Sequence, residues 1–525
     1  MTAVTRLTKL SITRRNVLAS FAGKMLTALL SLAFTPLFSR LLGIEAYGLI
    51  GFSVTLNAAL NLLDMGFSAT MNREMAQLTV PREGVGPADS ATVQIPMERA
   101  GEARTLVRTL ERIYWPICLL IALGIAALAP TLAHHWVHVE RLHPGTVQKA
   151  IVLMGLSLAL QWPFTLYEGG LMGLQRQVLL NSIAVLVAVL RNVVPLLILH
   201  YSPSIVTYFL WQVVVSGVMT GSVWLALWRA LPVSAQKPKF DPAVLQRIWK
   251  FAVGMAGITT VNLLITQADK GVLSRVFPLT TLGYYTLAIG AAGAIYYLVA
   301  PINNALFPRF VQMFAQEDTV SLARLYHAGC QAMSVIILPV GLVMAVFGRE
   351  VMLLWTRDAT TAAHTAGMVG WLAAGFVCNG LMTLPFSLQT AAGWTRLTLI
   401  VSTAWAIAIV PLLLLATHLF GPVGAAMVWF LMNFSHLFTI LPFVHRRLLK
   451  GELARWYWQD SALPALAAGL VVFLFRLLPP VTGSRIGVSL WLIVVWFCAV
   501  SAAMLVSPQA RSLRKNRPAA GETSI

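Results

Sequence analysis

Ionisable and amide side chains recur at helical spacing inside stretches that are otherwise apolar, and these are the positions where the sequence can do chemistry. Lys24, Thr27, Ser31 and Thr35 follow an i, i+3, i+7, i+11 pattern that places them on one helix face. Asn57, Asn61, Asp64 and Ser68 form a second stripe, and Thr259, Asn262, Thr266 and Asp269 a third, flanked by Gln267 and Lys270. Arg191 stands inside an apolar run, roughly 13 Å from His200 at helical rise. A cation there attracts an anionic group such as a phosphate, whereas a carboxylate can bind a proton or a cation. Lys24, Arg191, Lys270, Asn262 and Asn61 are therefore candidate substrate contacts, and Asp64 and Asp269 candidate ion-coupling groups. Structural roles compete with these. Lys24 and Asp64 sit at similar depth, so a buried pair that positions two helices is an alternative. Lys270 is close enough to the boundary at Arg275 that snorkelling outward is expected of it. Arg191 is the leading site candidate.

The elements that must carry these residues are apolar stretches about long enough to cross a bilayer, which needs about 20 helical residues. Fourteen are expected, at 17–39, 46–70, 113–133, 148–172, 177–199, 205–228, 251–274, 282–306, 329–348, 365–390, 397–417, 423–444, 461–478 and 486–506. Backbone polar groups find no water in hydrocarbon, so the fold class is an all-α polytopic membrane protein. Composition agrees: 58% of residues are hydrophobic and only 11% charged, too few charges to solvate a soluble surface of that size. The net charge of +19 is concentrated in alternate gaps, including Arg14, Arg15, Arg104, Arg108, Lys237, Lys239, Arg446, Arg447 and Lys450. That asymmetry is the positive-inside pattern and places both termini in the cytoplasm. The basic charge is topological, which argues against nucleic acid as a partner.

No enzyme chemistry is indicated. The outward loops are short and carry no paired carboxylates or nucleophile–base set. His134, His135 and His138 lack a further ligand or an HExxH helix, and Cys118, Cys330, Cys378 and Cys498 lie inside spans without CxxC spacing. Neither a metal nor another cofactor is expected. Gly169, Gly170 and Gly173 suit close helix packing, because no nucleotide-loop pattern accompanies them. Asn379, Thr383 and Ser387, and Asn433 with His436, are explained as well by interhelical hydrogen bonds as by ligands.

A shift of 235 residues matches Arg15 with Lys250, Thr27 with Asn262, Ser39-Arg40 with Ser274-Arg275, and Gly48 with Gly283. Six spans separate the copies, so the repeat is parallel, about an axis along the membrane normal. Two pseudo-symmetric six-helix lobes follow, 1–235 and 236–450, with two C-terminal helices and a basic tail in 451–525. The linker at 229–250 contains Pro232, Pro238 and Pro242 and is the expected hinge. The long loop at 74–112 ends in a charged amphipathic stretch that reads as a solvated or membrane-surface helix. Polar stripes from both lobes, facing one another across a hydrated cavity, would have the anatomy of a transporter that alternates access by rocking.

Several motifs carry a family resemblance. They are Arg14-Arg15-Asn16, Pro36-Leu37-Phe38-Ser39-Arg40-Leu41-Leu42-Gly43 with Tyr47-Gly48, Asp64-Met65-Gly66-Phe67, and Ala425 after Gly421-Pro422-Val423-Gly424. Together they resemble the Wzx-type polysaccharide flippases of the MOP superfamily. The resemblance implies inner-membrane flipping of an undecaprenyl-diphosphate-linked oligosaccharide from the cytoplasmic to the periplasmic leaflet, for O-antigen, capsule or exopolysaccharide assembly. It also implies a lipid-linked glycan as substrate, with membrane lipids, a proton or sodium ion, and a glycan polymerase or export machinery as further partners. Cavity cations that meet the diphosphate and sugars would be Lys24 and Arg191. A cation-coupled multidrug exporter or a peptidoglycan-precursor flippase of the same superfamily stays open as an alternative, as does a polytopic glycan polymerase or ligase. The topology has a direct test: a reporter fused after Ile525 is expected to signal from the cytoplasm, and a periplasmic signal would invert the assignment of every loop.

Overall fold

The computed structural model describes residues 12–60, 67–79, 95–234, 238–394, 396–478 and 484–508; within these, the side chains of residues 12–22, 24, 69, 244–245 and 247–259 are not described. Among the described residues there is no strand, and the one extended contact is an isolated bridge between His138 and Pro278. Twelve helical segments there are long and apolar enough to cross a membrane. Two of the fourteen expected spans are not among these twelve. The described parts of the second are the helices Ile44–Leu60 and Phe67–Leu78, and the seventh is a continuous 35-residue helix.

Contacts divide the chain into two compact units, Met1–Gly283 and Tyr284–Ile525. The first contains α1 (Ile12–Leu42), α2 (Ile44–Leu60), α3 (Phe67–Leu78), α4 (Ala100–Thr131), α5 (Pro144–Gly173), α6 (Gln177–Asn192), α7 (Val194–Tyr201), α8 (Ile205–Ala230) and α9 (Pro242–Val276), and α10 (Leu279–Ala292) begins in it. The packing division falls later than the linker because α9 lies against α2, α3 and α4. Helix starts follow local chemistry. Ser204 accepts from the N–H of Val206, and Asp241 from that of Ala243 with Pro242 at the first helical position, so orphan N–H groups and the missing proline donor coincide.

The hub is α5, which packs on α8, α4 and α3. Gly169 and Gly173 permit the α3 contact: a Cβ at either would meet the carbonyl of Ser68 or Asn72 at 2.4 or 2.5 Å. The stretch before span 3 is not the solvated or surface helix expected from its charge. It is continuous with α4, and Ala103, Leu106, Val107 and Leu110 are buried. Glu111 is buried too, accepting from Tyr167 Oη (3.1 Å), Trp224 Nε1 (3.1 Å) and Trp228 Nε1 (2.8 Å), with Arg108 Nη1 at 3.1 Å. A carboxylate with four donors can be buried where an unpaired one cannot. Arg104 Nε donates to the carbonyl of Pro232 and Thr109 Oγ1 accepts from Asp241 N–H, so this extension also holds the linker.

The second unit contains α11 (Ala294–Ala315), α12 (Thr319–Val346), α13 (Gly348–Thr356), α14 (Ala359–Ala391), α15 (Arg396–Phe420), α16 (Pro422–Thr439), α17 (Leu441–Leu448), α18 (Leu453–Arg455), a π-turn at Trp456–Ala462, α19 (Leu463–Leu477) and α20 (Arg485–Val506). Here α14 packs on α16, α12 and α11, the same pattern that α5 makes with α8, α4 and α3. The internal repeat seen in one helix and its turn therefore extends to the packing of each unit. Mid-helix polar clasps recur as well: Ser157 with Ser216 (2.9 Å) joins α5 to α8, and Asn379 with Asn433 (2.9 Å) joins α14 to α16. Asn379, Ser387 and Asn433 thus make interhelical hydrogen bonds, Ser387 with Asn303.

At the charge-poor ends of α2 and α10 the repeat closes on itself. A Cβ on Gly48 would lie 2.2 Å from the carbonyl oxygen of Leu279, and one on Gly283 would lie 2.3 Å from that of Ile44. These are reciprocal contacts between positions 235 residues apart. Glu45, buried beside them, accepts from the backbone N–H groups of Glu140, Arg141 and Leu142 at 2.6 to 3.1 Å. The N–H of Leu279 donates to the carbonyl of His138, and Trp136 Nε1 to Ser274 Oγ. One loop, 136–142, is therefore pinned by both copies of the repeated turn. Gly48→Ala and Gly283→Ala are each expected to lower the thermal midpoint in detergent, by about 1 to 3 kcal/mol of overpacking. The double variant should lose less than the sum, because one helix separation relieves both clashes; strictly additive losses would show that the two contacts are independent.

Candidate functional site

Arg191 lies at the end of α6, where Pro195 interrupts the helix. Proline has no N–H for the carbonyl four residues earlier, and that carbonyl belongs to Arg191. Gln212 Nε2 approaches it at 3.5 Å, and Trp211 Nε1 donates to the neighbouring carbonyl of Leu190 at 2.8 Å. The break between α6 and α7 is thus satisfied by α8 and held at one angle.

The guanidinium is less well served. Nη2 reaches Gln161 Oε1 at 3.5 Å, Ser216 Oγ at 3.5 Å and Met219 Sδ at 4.0 Å, while Nε is buried with no hydrogen-bond partner. Among the described residues no carboxylate lies within ion-pair distance. Arginine has five donors in a planar fork that fits carboxylate or phosphate in a bidentate manner. Here they meet neutral acceptors at the long limit of a hydrogen bond.

Gln161 connects this cation to a cavity of about 140 Å³ between α2 and α5, whose lining also includes Asn57, Trp162 and Thr165. Side chains from neighbouring helices bond the backbone of α5 on either side of Pro163. Thr220 Oγ1 donates to the carbonyl of Leu160 (2.7 Å), and Ser68 Oγ to that of Thr165 (2.7 Å). Gln161 was not singled out by the sequence. It stands between Leu160 and Trp162 without a polar stripe around it, and its only signal was a lone amide in a span.

The other sequence candidates fall elsewhere. Asp269 and Lys270 are buried on α9, with Lys270 Nζ at 3.8 Å from Asp269 Oδ1 and 3.2 Å from Gln267 Oε1. Lys270 does not snorkel outward as expected; it turns back along the helix toward Gln267, because a carboxylate and an amide within reach satisfy it there. Asn262 is exposed on the same helix. Since α6 packs on α1 and α8 while α9 packs on α2, α3 and α4, Arg191 and the Asp269–Lys270 pair occupy different helix neighbourhoods. Asn61, Asp64 and the side chain of Lys24 lie outside the described residues. No group of three His, Cys, Asp or Glu residues suited to a metal occurs among the described residues.

Twelve membrane-length helical segments and a packing pattern repeated about α5 and α14 define the class, a multi-pass membrane protein. The chain belongs to the polysaccharide biosynthesis protein family, which it matches over residues 13–80 and 90–314, more than half its length. Among curated relatives it is 26% identical over 219 residues to the amylovoran biosynthesis protein AmsL of Erwinia amylovora, covering 41% of this chain and 54% of that protein. It is 22% identical over 184 residues to a putative O-antigen transporter of Shigella flexneri, covering 35% and 43%. The alignments thus span about half the length of these relatives. Among solved structures, the lipid II flippase MurJ in an inward closed conformation superposes with a TM-score of 0.69 at 12% identity, covering 95% of this chain and 99% of that one. The MATE multidrug transporter DinF-BH gives 0.53 at 15% identity, covering 84% and 97%. These two show the fold, which flippases and drug exporters share.

A cation with only neutral partners costs stability. Arg191→Met is therefore expected to leave the thermal midpoint unchanged or to raise it; a loss of several degrees would show that the guanidinium is needed for packing.

Proposed function

We propose that the chain moves an undecaprenyl-diphosphate-linked oligosaccharide across a bacterial inner membrane, from the cytoplasmic to the periplasmic leaflet, for assembly of a surface polysaccharide. The single observation that carries this reading is Arg191, a half-buried guanidinium that reaches Gln161 in the wall of a cavity and has no carboxylate among its described neighbours. A diphosphate supplies the bidentate anionic acceptor that the protein withholds. Membership of the polysaccharide biosynthesis family and likeness to an O-antigen transporter support a glycan as cargo. The drug-exporter alternative has less in its favour, because a cationic drug would be repelled by Arg191.

In this reading Lys24, Lys270, Asn262 and Asn61 contact the substrate in other stages of the cycle, and Asp64 and Asp269 take up a proton or sodium ion. Asp269 already neutralises Lys270 at 3.8 Å, so ion binding there would release a cation for the substrate. The contacts at Glu45 and Gly48 hold loop 136–142 to the helix starts, and in this reading their opening is part of alternating access.

In cells, Arg191→Gln is expected to remain in the membrane while lipid-linked glycan accumulates on the cytoplasmic leaflet and surface glycan falls at least tenfold. Wild-type glycan export by Arg191→Gln would remove the cation from the mechanism. Asp269→Asn should abolish the dependence of export on the ion gradient, and unchanged dependence would leave Asp269 a packing residue.

A further inference from the structure

We propose that the second unit carries a separate site for a phosphate-bearing group, at its basic end, in a cavity between the start of α12 and the turn that joins α17 to α18. The inference does not depend on the transport reading. The cavity is about 630 Å³, and Arg324, Arg447, Lys450 and Arg455 all line it, from three different segments of chain. A positive-inside bias accounts for cations scattered along loops. It does not account for four of them converging on one concavity, where their mutual repulsion has to be offset.

The acids nearby are already engaged. Glu452, the one carboxylate in the lining, lies 3.5 Å from Arg455 Nη1 and 3.1 Å from His327 Nε2. His327 is fully buried and bonds Asp460 through Nδ1, while Gln331 Nε2 donates to the other oxygen of Asp460 at 2.9 Å. This chain ties the turn to α12 and the π-turn, so the wall that bears Glu452 is anchored in the core. Asp318 caps α12, accepting from Ser321 N–H at 2.9 Å. Its bonds to Ser321, and then Arg324, hold its carboxyl below the usual carboxylate range. Glu452 and Asp318 thus answer Arg455 and Arg324, and Arg447 and Lys450 remain in surplus.

The site is also shaped. The Arg447 guanidinium sits 4.5 Å from the ring centre of Trp394, which holds its plane. Gly451, at φ 86°, makes the tight turn that brings Lys450 to the rim. The apolar part of the lining includes Val320, Leu448 and Leu449. The nearby α19 exposes Leu466, Leu470, Phe473 and Leu474, each at least half exposed, as a lipid-facing helix must. Cationic and apolar walls together suit a phosphate ester or diphosphate with an apolar continuation. Its source is either the headgroup of an anionic membrane lipid or a soluble phosphate compound.

The test uses the full chain purified in a neutral detergent. Thermal midpoints are followed against inorganic pyrophosphate, and against mixed micelles of phosphatidylglycerol, with sodium chloride at matched ionic strength and phosphatidylcholine as references. A saturable rise with either phosphate probe beyond its reference is expected. The arm that saturates at lower concentration identifies the source. The triple variant Arg324→Gln, Arg447→Gln, Lys450→Gln should weaken the response at least tenfold, whereas Arg309→Gln, also basic and exposed but outside the cavity, should not. Should the triple variant fail to fold, Lys450→Gln alone decides, with an expected weakening of about three- to tenfold for one charge-assisted contact. No rise over the references, or a rise that persists in the folded variants, would overturn the site.

Discussion

A charge inside a helix bundle has to be answered by another charge, by several short hydrogen bonds, or by a ligand. The described side chains show the first two answers clearly. Glu111 has three neutral donors and Arg108, Asp269 has Lys270, and Asp460 has His327 and Gln331. Arg191 has neither. Its contacts are at 3.5 Å or longer, and one of its nitrogens is buried without a partner. The contrast within one molecule gives Arg191 its meaning, because the same chain satisfies its buried charges Glu111, Asp269 and Asp460.

The surroundings of Arg191 are built by backbone repair. Pro195 frees the carbonyl of Arg191 at the end of α6, which Gln212 of α8 approaches, and Thr220 and Ser68 bond carbonyls of α5 on either side of Pro163. A proline break in a membrane helix is stable only where such partners exist. The result is that α5, α6 and α8 are joined by polar contacts at one level. The cavity wall and the cation are therefore held by the same set of bonds that hold the fold.

Much of this was legible in the sequence. The class follows from hydropathy, whereas twelve of the fourteen expected spans are found among the described residues; the 235-residue repeat reappears as a reciprocal contact, since Gly48 and Gly283 each face the carbonyl at the start of the other's helix. Arg191 was legible as a charge at depth. Gln161 was not, because which lone amide faces a neighbour depends on helix rotation about α5, and periodicity does not specify rotation for an element buried on most sides. The charged first turns of α4 were misread for a related reason: their polar residues suggested solvent, but Glu111 turns inward to two tryptophans and a tyrosine that come from helices far along the chain. Lys270 was misread because the carboxylate beside it competes with the membrane interface for its ammonium group.

The central claim is that Arg191 is left unneutralised so that a diphosphate can neutralise it. The most direct measurement is equilibrium binding of a lipid-linked oligosaccharide diphosphate, and of the same lipid-linked glycan without phosphate, to purified wild-type protein and to Arg191→Gln. The account predicts that the wild type prefers the diphosphate by at least tenfold and that Arg191→Gln abolishes most of that preference without weakening binding of the uncharged analogue. Equal preference in both proteins would contradict it.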